Sequence, residues 1–365
     1  MTDVAALAAE LVAIDSVNPS LVAGAPGEAA IARHVAGWCE RAGLDVAVEE
    51  AAPGRPNVVA VARGTGGGRT LVLNAHMDTV GVAGMDDPFE PRAENGRLYG
   101  RGAYDMKGAL AAIMVAAARA RELRLRGDVV VSAVADEEVA SIGTEALVRA
   151  LEADAAIVAE PTELRVCVAH KGFWGFELEL RGRAAHGSRP DLGIDAIARM
   201  GHALVRLEAL DAELRAGLRH PLLGTGSIHA SLIEGGQEYS SYPARCLLTG
   251  ERRTRPGESR EQIEQELARL LGDLDGDVRV TFGREPLETD PQAEIVELVR
   301  RRAGADELHG VPFWTDAALI AAAGIPTVVF GPGGEGAHAV EEWVSLPDLE
   351  RCVEVYVAVA KELCA

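Results

Sequence analysis

The sequence predicts an α/β protein with a doubly wound sheet in one domain and a smaller α+β domain inserted into it. Apolar segments with the pattern of buried strands alternate with helical segments over the first half of the chain, as in doubly wound sheets. After Lys171 the pattern changes to strict alternation of apolar and charged residues, and the first pattern resumes near residue 285. The length of 365 residues also favours two hydrophobic cores over one.

The elements predicted for the first domain are short. Its strands are Asn57–Ala62, Thr70–Leu73, Val129–Ala135, Ala155–Ala159 and Thr327–Phe330. Its helices are Met1–Ile14, Lys107–Arg124, Ile142–Leu151, Pro291–Arg302 and Ala317–Ala323. The glycine-rich segment Gly64–Gly68 is followed by a strand, whereas a phosphate-binding loop is followed by a helix. We therefore expect a hairpin or a connecting turn there, which disfavours a nucleotide-binding oxidoreductase.

The second domain has the predicted element order βαββαβ, which is that of the ferredoxin-like split motif. Its elements are Trp174–Leu180, Ile194–Leu210, Ser227–Ile233, Arg245–Glu251, Arg260–Leu271 and Val278–Phe282. Ser259 and Gln262 are spaced as a capping box at the start of the second helix. We place this domain at residues 172–284, so the first domain comprises residues 1–171 and 285–365.

The composition argues against nucleic-acid binding, membrane insertion and secretion. A net charge of −20 argues against nucleic acid, whose phosphates would be repelled. No apolar segment approaches the length of a membrane span, and the N-terminus lacks the basic and apolar segments of a signal peptide. Five scattered cysteines without a CxxC motif predict reduced thiols in a cytoplasmic protein.

Residues of metal-ligand type follow the predicted strands of the first domain. In open α/β sheets, ligands bind beyond the carboxyl ends of the strands. Any one of these residues alone is more simply explained as a polar residue in a turn or as a helix cap. Four strand ends together favour a metal site. The candidates are His76, Asp78, Glu137, Glu138, Glu160 and His338 at strand ends, with Asp105 just before a helix.

Charge balance favours two divalent ions. Three carboxylates (Asp105, Glu138 and Glu160) with one hydroxide balance four positive charges, and neutral histidines complete the ligand sets. Mixed imidazole and carboxylate ligands suit zinc, and cobalt or manganese is also compatible. We further expect the Asp78 carboxylate to accept the second ring N–H of His76 and so to fix its tautomer.

Five short motifs follow one another along the chain: His76–Asp78, Gly100–Gly108, Asp136–Glu138, Glu160–Thr162 and Gly336–His338. In this order they resemble the metallopeptidase family of acetylornithine deacetylase, succinyl-diaminopimelate desuccinylase, aminoacylase and carboxypeptidase G. The resemblance extends from about His76 to Glu342, includes the inserted domain and implies a zinc-peptidase-like catalytic domain.

The resemblance implies a role for each residue of the metal site. His76, Asp105 and Glu160 would hold one ion. Asp105, Glu138 and His338 would hold the other, so that Asp105 bridges them. Glu137 would be the general base beside a bridging hydroxide. The family also implies a cis peptide bond between Asp105 and Met106.

Two further motifs of the inserted domain carry family roles. His186, in the segment Ala185–Pro190, would stabilise the tetrahedral oxyanion in the partner subunit's active site. Arg253 would bind the substrate α-carboxylate, because a guanidinium fork matches a carboxylate. The plain alternatives are a surface turn for His186 and strand-edge charge for the arginine.

The sequence departs from the family pattern at two places. Ser240 occupies a substrate-binding position that is asparagine in the family, so specificity for acetylornithine or succinyl-diaminopimelate does not transfer directly. Phe313 and Trp314 replace small residues, and they either line an apolar pocket or belong to the core.

We therefore expect a two-metal amidohydrolase that cleaves the amide bond of small N-acyl-L-amino acids. The alternative is a metal-dependent exopeptidase, such as a dipeptidase or a glutamate-releasing carboxypeptidase. A metal-binding protein without catalysis is disfavoured, because Glu137 and all five ligand residues are present. The resemblance also implies a homodimer that forms through the inserted lid or dimerisation domain.

Overall fold

The computed structural model describes residues 3–365, and these form nine α-helices. In chain order they are α1 (Val4–Val12), α2 (Ala29–Arg41), α3 (Gly108–Glu122), α4 (Ile142–Leu147), α5 (Ala196–Ala216), α6 (Arg260–Leu271), α7 (Glu294–Ala303), α8 (Ala317–Ala322) and α9 (Leu346–Leu363). A π-helical turn, Ala103–Lys107, leads directly into α3. The predicted helix Met1–Ile14 corresponds to α1, and its first two residues lie outside the described part of the chain.

The described residues also form seventeen β-strands. They are β1 (Asp45–Ala52), β2 (Arg55–Ala62), β3 (Leu71–His76), β4 (Arg92–Glu94), β5 (Arg97–Tyr99), β6 (Val129–Val134), β7 (Ala155–Val158), β8 (Cys167–His170), β9 (Gly172–Arg181), β10 (Ser227–Gly235), β11 (Arg245–Thr254), β12 (Gly276–Arg284), β13 (Leu287–Glu288), β14 (His309–Val311), β15 (Thr327–Val329), β16 (Gly334–Glu335) and β17 (Trp343–Ser345).

The chain divides into two compact units. The first comprises Met1–Val168, Thr289–His309 and Thr315–Ala365. The second comprises Ala169–Glu288 and Gly310–Trp314. Each unit has its own hydrophobic core.

The first unit contains a mixed sheet with the strand order β1-β2-β6-β3-β7-β15-β8. Its four central strands, β6, β3, β7 and β15, are parallel, and the flanking strands are antiparallel to their neighbours. The predicted α/β class is confirmed. The parallel centre places four carboxyl ends at one edge of the sheet, where ligands bind in such folds.

The glycine-rich segment Gly64–Gly68 is a connecting turn and not a hairpin. It joins β2 to β3, and these strands are separated in the sheet by β6. Gly64 and Gly68 pass so close to the backbone of Arg126 and Gly127 that a Cβ at either position would collide with it. The glycines therefore serve close backbone packing, which explains their clustering without a ligand.

Helix α3 is buried along most of its length and packs against α1 and α9. A helix that is apolar on nearly all sides is expected in the interior of a large protein. Its many alanines allow neighbouring helices and the sheet to approach closely. The helix therefore forms a rigid support for the π-helical turn at its N-terminus.

The second unit contains an antiparallel sheet with the order β10-β11-β9-β12 and the helices α5 and α6. This is the strand order of the ferredoxin-like motif, as its βαββαβ pattern predicted. Alternate residues of β9, from Trp174 to Leu180, are buried in the unit's core. The capping box of Ser259 and Gln262 is confirmed at the start of α6.

All five cysteines are buried, and none of them forms a disulfide bond. Burial raises the pKa of several of these thiols, including that of Cys39 to about 12. None of the helices within residues 3–365 is long and apolar enough to cross a membrane.

Candidate metal centre

Side chains of ligand type gather at the carboxyl edge of the parallel strands in the first unit. His76 ends β3, Glu138 follows β6, Glu160 follows β7, and His338 lies in the loop between β16 and β17. Asp105 comes from the π-helical turn before α3, where its backbone leaves helical geometry. The peptide bond between Asp105 and Met106 is cis, as the family resemblance implied.

These five residues form two groups that share Asp105. The first group is His76, Asp105 and Glu160, and the second is Asp105, Glu138 and His338. Within each group, one possible ligand atom per residue lies within 4.8 Å of the others. The structure therefore brings together all five residues that the sequence analysis named as ligands.

The two carboxylate oxygens of Asp105 face different groups. Its Oδ1 lies 3.0 Å from Nε2 of His76, and its Oδ2 lies 3.4 Å from Nε2 of His338. The Nε2 atom of His338 is also 3.0 Å from Oε2 of Glu138. A carboxylate with one oxygen toward each group is the arrangement that a bridging ligand requires.

The electrostatics of the cluster fit divalent cations. Burial, together with the charges of neighbouring carboxylates, raises the pKa of Glu138 and of Glu160. Burial also opposes the charge of Asp105, but hydrogen bonds with His338 and His76 outweigh it and lower the pKa of Asp105. Within the described residues, Oε1 of Glu138 is buried without a hydrogen-bond partner. Such closely placed carboxylates need positive charge, and imidazole with carboxylate is a donor set that zinc accepts.

Glu137 lies next to this cluster and belongs to neither ligand group. Burial raises the pKa of its carboxyl group, and the charge of Glu160 raises it further. A carboxylate that is close to metal ligands but outside their groups is free to exchange a proton.

The His76 ring lies beside both the backbone carbonyl and the carboxylate of Asp78. The backbone carbonyl oxygen of Asp78 lies 2.9 Å from Nδ1 of His76, whereas the carboxylate is 3.6 Å away. The carboxylate also accepts hydrogen bonds from the backbone N–H groups of Glu137 (3.1 Å) and Glu138 (3.2 Å). The two donor residues directly follow Asp136, where the backbone turns with a φ of +70°. Asp78 therefore positions the segment that carries Glu137.

A buried polar network behind this segment was not found from the sequence. Asn18 donates to Asp78 (2.7 Å) and to Asp136 (3.0 Å). Arg55 donates to Asp136 (2.9 Å) and holds Glu28 through two hydrogen bonds of 2.6 and 2.7 Å. These partners lie far apart in the chain, so no local pattern reveals them.

Replacing Arg55 with methionine is expected to destabilise the first unit by ~3–5 kcal/mol. The change leaves Glu28 and Asp136 buried without their counter-charge, which is the usual cost of breaking a buried ion pair. Arg63→Met is the matched control. Arg55 begins strand β2 and Arg63 follows its end, but the ion pairs of Arg63 are exposed and worth about 0–1 kcal/mol. Denaturant unfolding measures the free energy of unfolding of both variants. Equal losses would show that the buried ion pairs of Arg55 stabilise the protein no more than the exposed ion pairs of Arg63.

The other predicted site residues belong to the second unit. His186 is exposed, and its Nδ1 lies 2.9 Å from Oγ of Ser188. His186 forms a β-bridge with Ser241, and Gly187 donates its N–H to the carbonyl of Ser240 at 2.6 Å. The structure thus places His186 and Ser240 in adjoining segments of one surface.

Arg253 lies elsewhere in the second unit, beside aromatic rings. Its guanidinium carbon is 5.4 Å from the centre of the Phe173 ring, and its Nε donates to Glu251 at 2.6 Å. Phe173 also packs edge-on against Trp314, at 6.1 Å between ring centres. Phe313 is 38% exposed, and Trp314 is partly buried with its Nε1 donating to the carbonyl of Glu285 at 2.9 Å. Trp314 is therefore held in place without being enclosed in the core.

A sequence profile of peptidase family M20/M25/M40 matches residues 72–362. The chain belongs to this family. The matched region spans all five ligand-type residues of the metal centre, and the chain is accordingly a hydrolase.

One curated protein and two solved structures illustrate what the chain is similar to. An acetylornithine deacetylase of Myxococcus xanthus is 34% identical over 334 residues, which cover 87% of this chain and 86% of the relative. Aminopeptidase PepT of Bacillus cereus shares the fold with a TM-score of 0.81 and 21% identity, over 100% of this chain and 98% of that one. A dinuclear metal-binding M20 peptidase of Bacillus subtilis has a TM-score of 0.76 at 15% identity, over 99% and 97% of the two chains.

Proposed function

We propose that this M20 hydrolase is a two-metal amidohydrolase that releases the acyl group from N-acyl-L-amino acids. The observation that carries the proposal is the pair of ligand groups that share Asp105, with Glu137 beside them and outside both. The identity of 34% to an acetylornithine deacetylase favours deacylation over peptide cleavage. A metal-dependent exopeptidase is the second candidate, and the same metal centre would serve it.

The proposed ligands are those of the two groups. His76, Asp105 and Glu160 hold one ion, and Asp105, Glu138 and His338 hold the other. Zinc is the proposed metal, and cobalt and manganese are compatible with the same donors. When bound, such ions polarise the substrate carbonyl and lower the pKa of water.

Glu137 moves the proton in the proposed reaction. Its carboxylate takes a proton from the attacking water, whose oxygen forms a bond to the amide carbon. The carbon–nitrogen bond then breaks, and Glu137 returns the proton to the leaving nitrogen. The products are a carboxylic acid and a free amino acid, so one water is consumed for each amide bond cleaved.

The second unit is proposed to recognise the amino-acid part of the substrate. Arg253 binds the α-carboxylate, and the neighbouring rings of Phe173 and Trp314 suit an apolar or aromatic group. Arg284, which lies over the Phe282 ring at 4.7 Å, adds a second cation to this aromatic cluster. Ser240 departs from the family's asparagine, so specificity for acetylornithine is not carried over to this chain.

A substrate panel tests this proposal. Amine release is measured with N-acetyl, N-succinyl and longer N-acyl derivatives of aromatic, aliphatic, acidic and basic amino acids, beside dipeptides. We expect cleavage that requires metal and favours N-acyl derivatives of apolar or aromatic amino acids. Preference for dipeptides would favour the exopeptidase instead, and preference for acetylornithine would contradict the proposed role of the aromatic cluster.

We further propose a homodimer that forms through the second unit, in a cytoplasmic protein with reduced cysteines. Strand β10 is an edge strand of its sheet, and an exposed edge is a template for pairing with a second copy. Leu232 and Ile233 on this strand are 67% and 53% exposed, and Val205 on α5 is 67% exposed. Apolar exposure along one edge and one helix supports an interface there.

In this dimer His186 is proposed to stabilise the oxyanion in the partner subunit's active site. His186→Ala is expected to lower kcat by about 10²–10³-fold with metal content unchanged, as for loss of an oxyanion donor. Mixing this variant with Glu137→Gln creates heterodimers with one competent site, so activity is expected to return after subunit exchange. No recovery in verified heterodimers would contradict action across the interface.

A further inference from the structure

Glu342 is a buried carboxylate of the first unit that the proposed chemistry does not use. It lies four residues after His338, and it is only 1% exposed. A buried carboxylate is costly unless several donors compensate it. The donors to Glu342 therefore indicate what it does.

Both carboxylate oxygens of Glu342 accept hydrogen bonds from the loop that ends at Asp105. Oε1 accepts from the backbone N–H groups of Tyr104 (2.9 Å) and Asp105 (3.0 Å). Oε2 accepts from Nη1 of Arg101 (2.6 Å) and from the N–H of Gly102 (3.1 Å). Four donors from one short segment hold the backbone of Asp105 in place, at the point where it leaves helical geometry.

The same contacts join this loop to the segment that carries His338. Arg101 reaches Glu342 with one nitrogen and the carbonyl oxygen of Ala339 with the other, at 2.9 Å. The backbone carbonyl of Glu342 also accepts the N–H of Gly100 at 3.1 Å. Asp105 and His338, which face each other across 3.4 Å, are thus connected through Arg101 and Glu342.

We propose that Glu342 and Arg101 are positioning residues that fix the distance between Asp105 and His338. Their loss weakens ion binding at the group of Asp105, Glu138 and His338 more than at the other group. The reason is that His76 ends strand β3 and Glu160 comes two residues after the end of β7, so both are held by the sheet. His338 lies in a loop, is 55% exposed and depends on its neighbours for its position. This inference rests on the proposed two-metal site.

The arrangement requires a carboxylate at position 342. A glutamine side chain has one accepting oxygen and a donating NH2 group. Placed here, the NH2 group would face N–H donors on one side, and two donors of the loop would lose their acceptor. Glu342→Gln thus changes hydrogen bonding with almost no change in volume.

Zinc titration of the metal-free protein tests the proposal, with Zn²⁺ alone as the probe and calorimetry as the readout. For the wild type we expect two binding events. In Glu342→Gln one event is expected to weaken by about 10–100-fold, the usual effect of losing a residue that orients a ligand. The other event should stay close to its wild-type affinity. Glu341→Gln is the matched control, because Glu341 is the exposed neighbour of Glu342.

Arg101→Lys keeps the proposal falsifiable if Glu342→Gln does not fold. Lysine keeps the charge but has one nitrogen in place of a fork, so it serves either Glu342 or Ala339. We expect an intermediate loss of affinity at the same single event. Unchanged affinities in folded variants, or equal loss at both events, would overturn the positioning role while the two-metal proposal stands. A wild-type protein that binds no zinc would overturn both.

Discussion

Glu137→Gln is expected to lower kcat by about 10²–10⁴-fold while both ions stay bound, the usual scale for loss of a general base. Glutamine has the shape of glutamate but does not accept a proton at neutral pH. Glu137 lies outside both ligand groups, so its replacement removes no proposed ligand. The backbone N–H of residue 137 donates a hydrogen bond to the Asp78 carboxylate, and this hydrogen bond is kept in the variant.

Glu152→Gln provides the control for loss of one negative charge. Glu152 is exposed in a loop of the same unit, so its replacement should leave kcat unchanged. Steady-state kinetics with the best substrate of the panel, together with metal analysis, distinguish the two variants. A Glu137→Gln enzyme with two ions and nearly wild-type kcat would show that another group moves the proton.

Asp105→Asn is expected to abolish binding of both ions and with it the activity. Each carboxylate oxygen of Asp105 faces one ligand group, so a neutral side chain weakens both. By contrast, His338→Ala removes a residue of one group only and should leave one ion bound. The difference between these two variants measures the sharing of Asp105 directly.

Asp86→Asn is the control for this comparison, because Asp86 is exposed and belongs to neither group. Metal analysis after dialysis should give two ions per chain for this control, one for His338→Ala and none for Asp105→Asn. If Asp105→Asn retains one ion while His338→Ala loses both, then Asp105 is not the bridging residue.

The ligand-type residues of the metal centre were predictable because each parallel strand is recognisable from a short apolar segment of the sequence. His76, Glu138 and Glu160 each stand within a few residues of an apolar strand, and the carboxyl ends of parallel strands meet at one edge. The division of the ligands between two ions and the bridging role of Asp105 came from the family resemblance, since no local pattern indicates them. The capping box at Ser259 was predictable for the same local reason.

Contacts between distant segments were not predictable. Strand β1 escaped notice because its residues, Asp45–Ala52, are mostly exposed and carry no apolar pattern. Two further donors to the Asp78 carboxylate were not predicted, because the reversal of the chain at Asp136, where φ is +70°, brings the N–H groups of Glu137 and Glu138 to it. Arg55 meets Asp136 across 81 residues, and Glu342 meets Arg101 across 241. Such buried ion pairs depend on the completed fold.

The measurement that tests the central claim most directly is amine release as a function of bound metal. Metal-free protein is titrated with Zn²⁺, and cleavage of the best N-acyl amino acid is followed beside the number of ions per chain. We expect no activity without metal, and full activity only when each of the two ligand groups that share Asp105 holds an ion. Undiminished cleavage by protein shown to be free of metal would contradict the account.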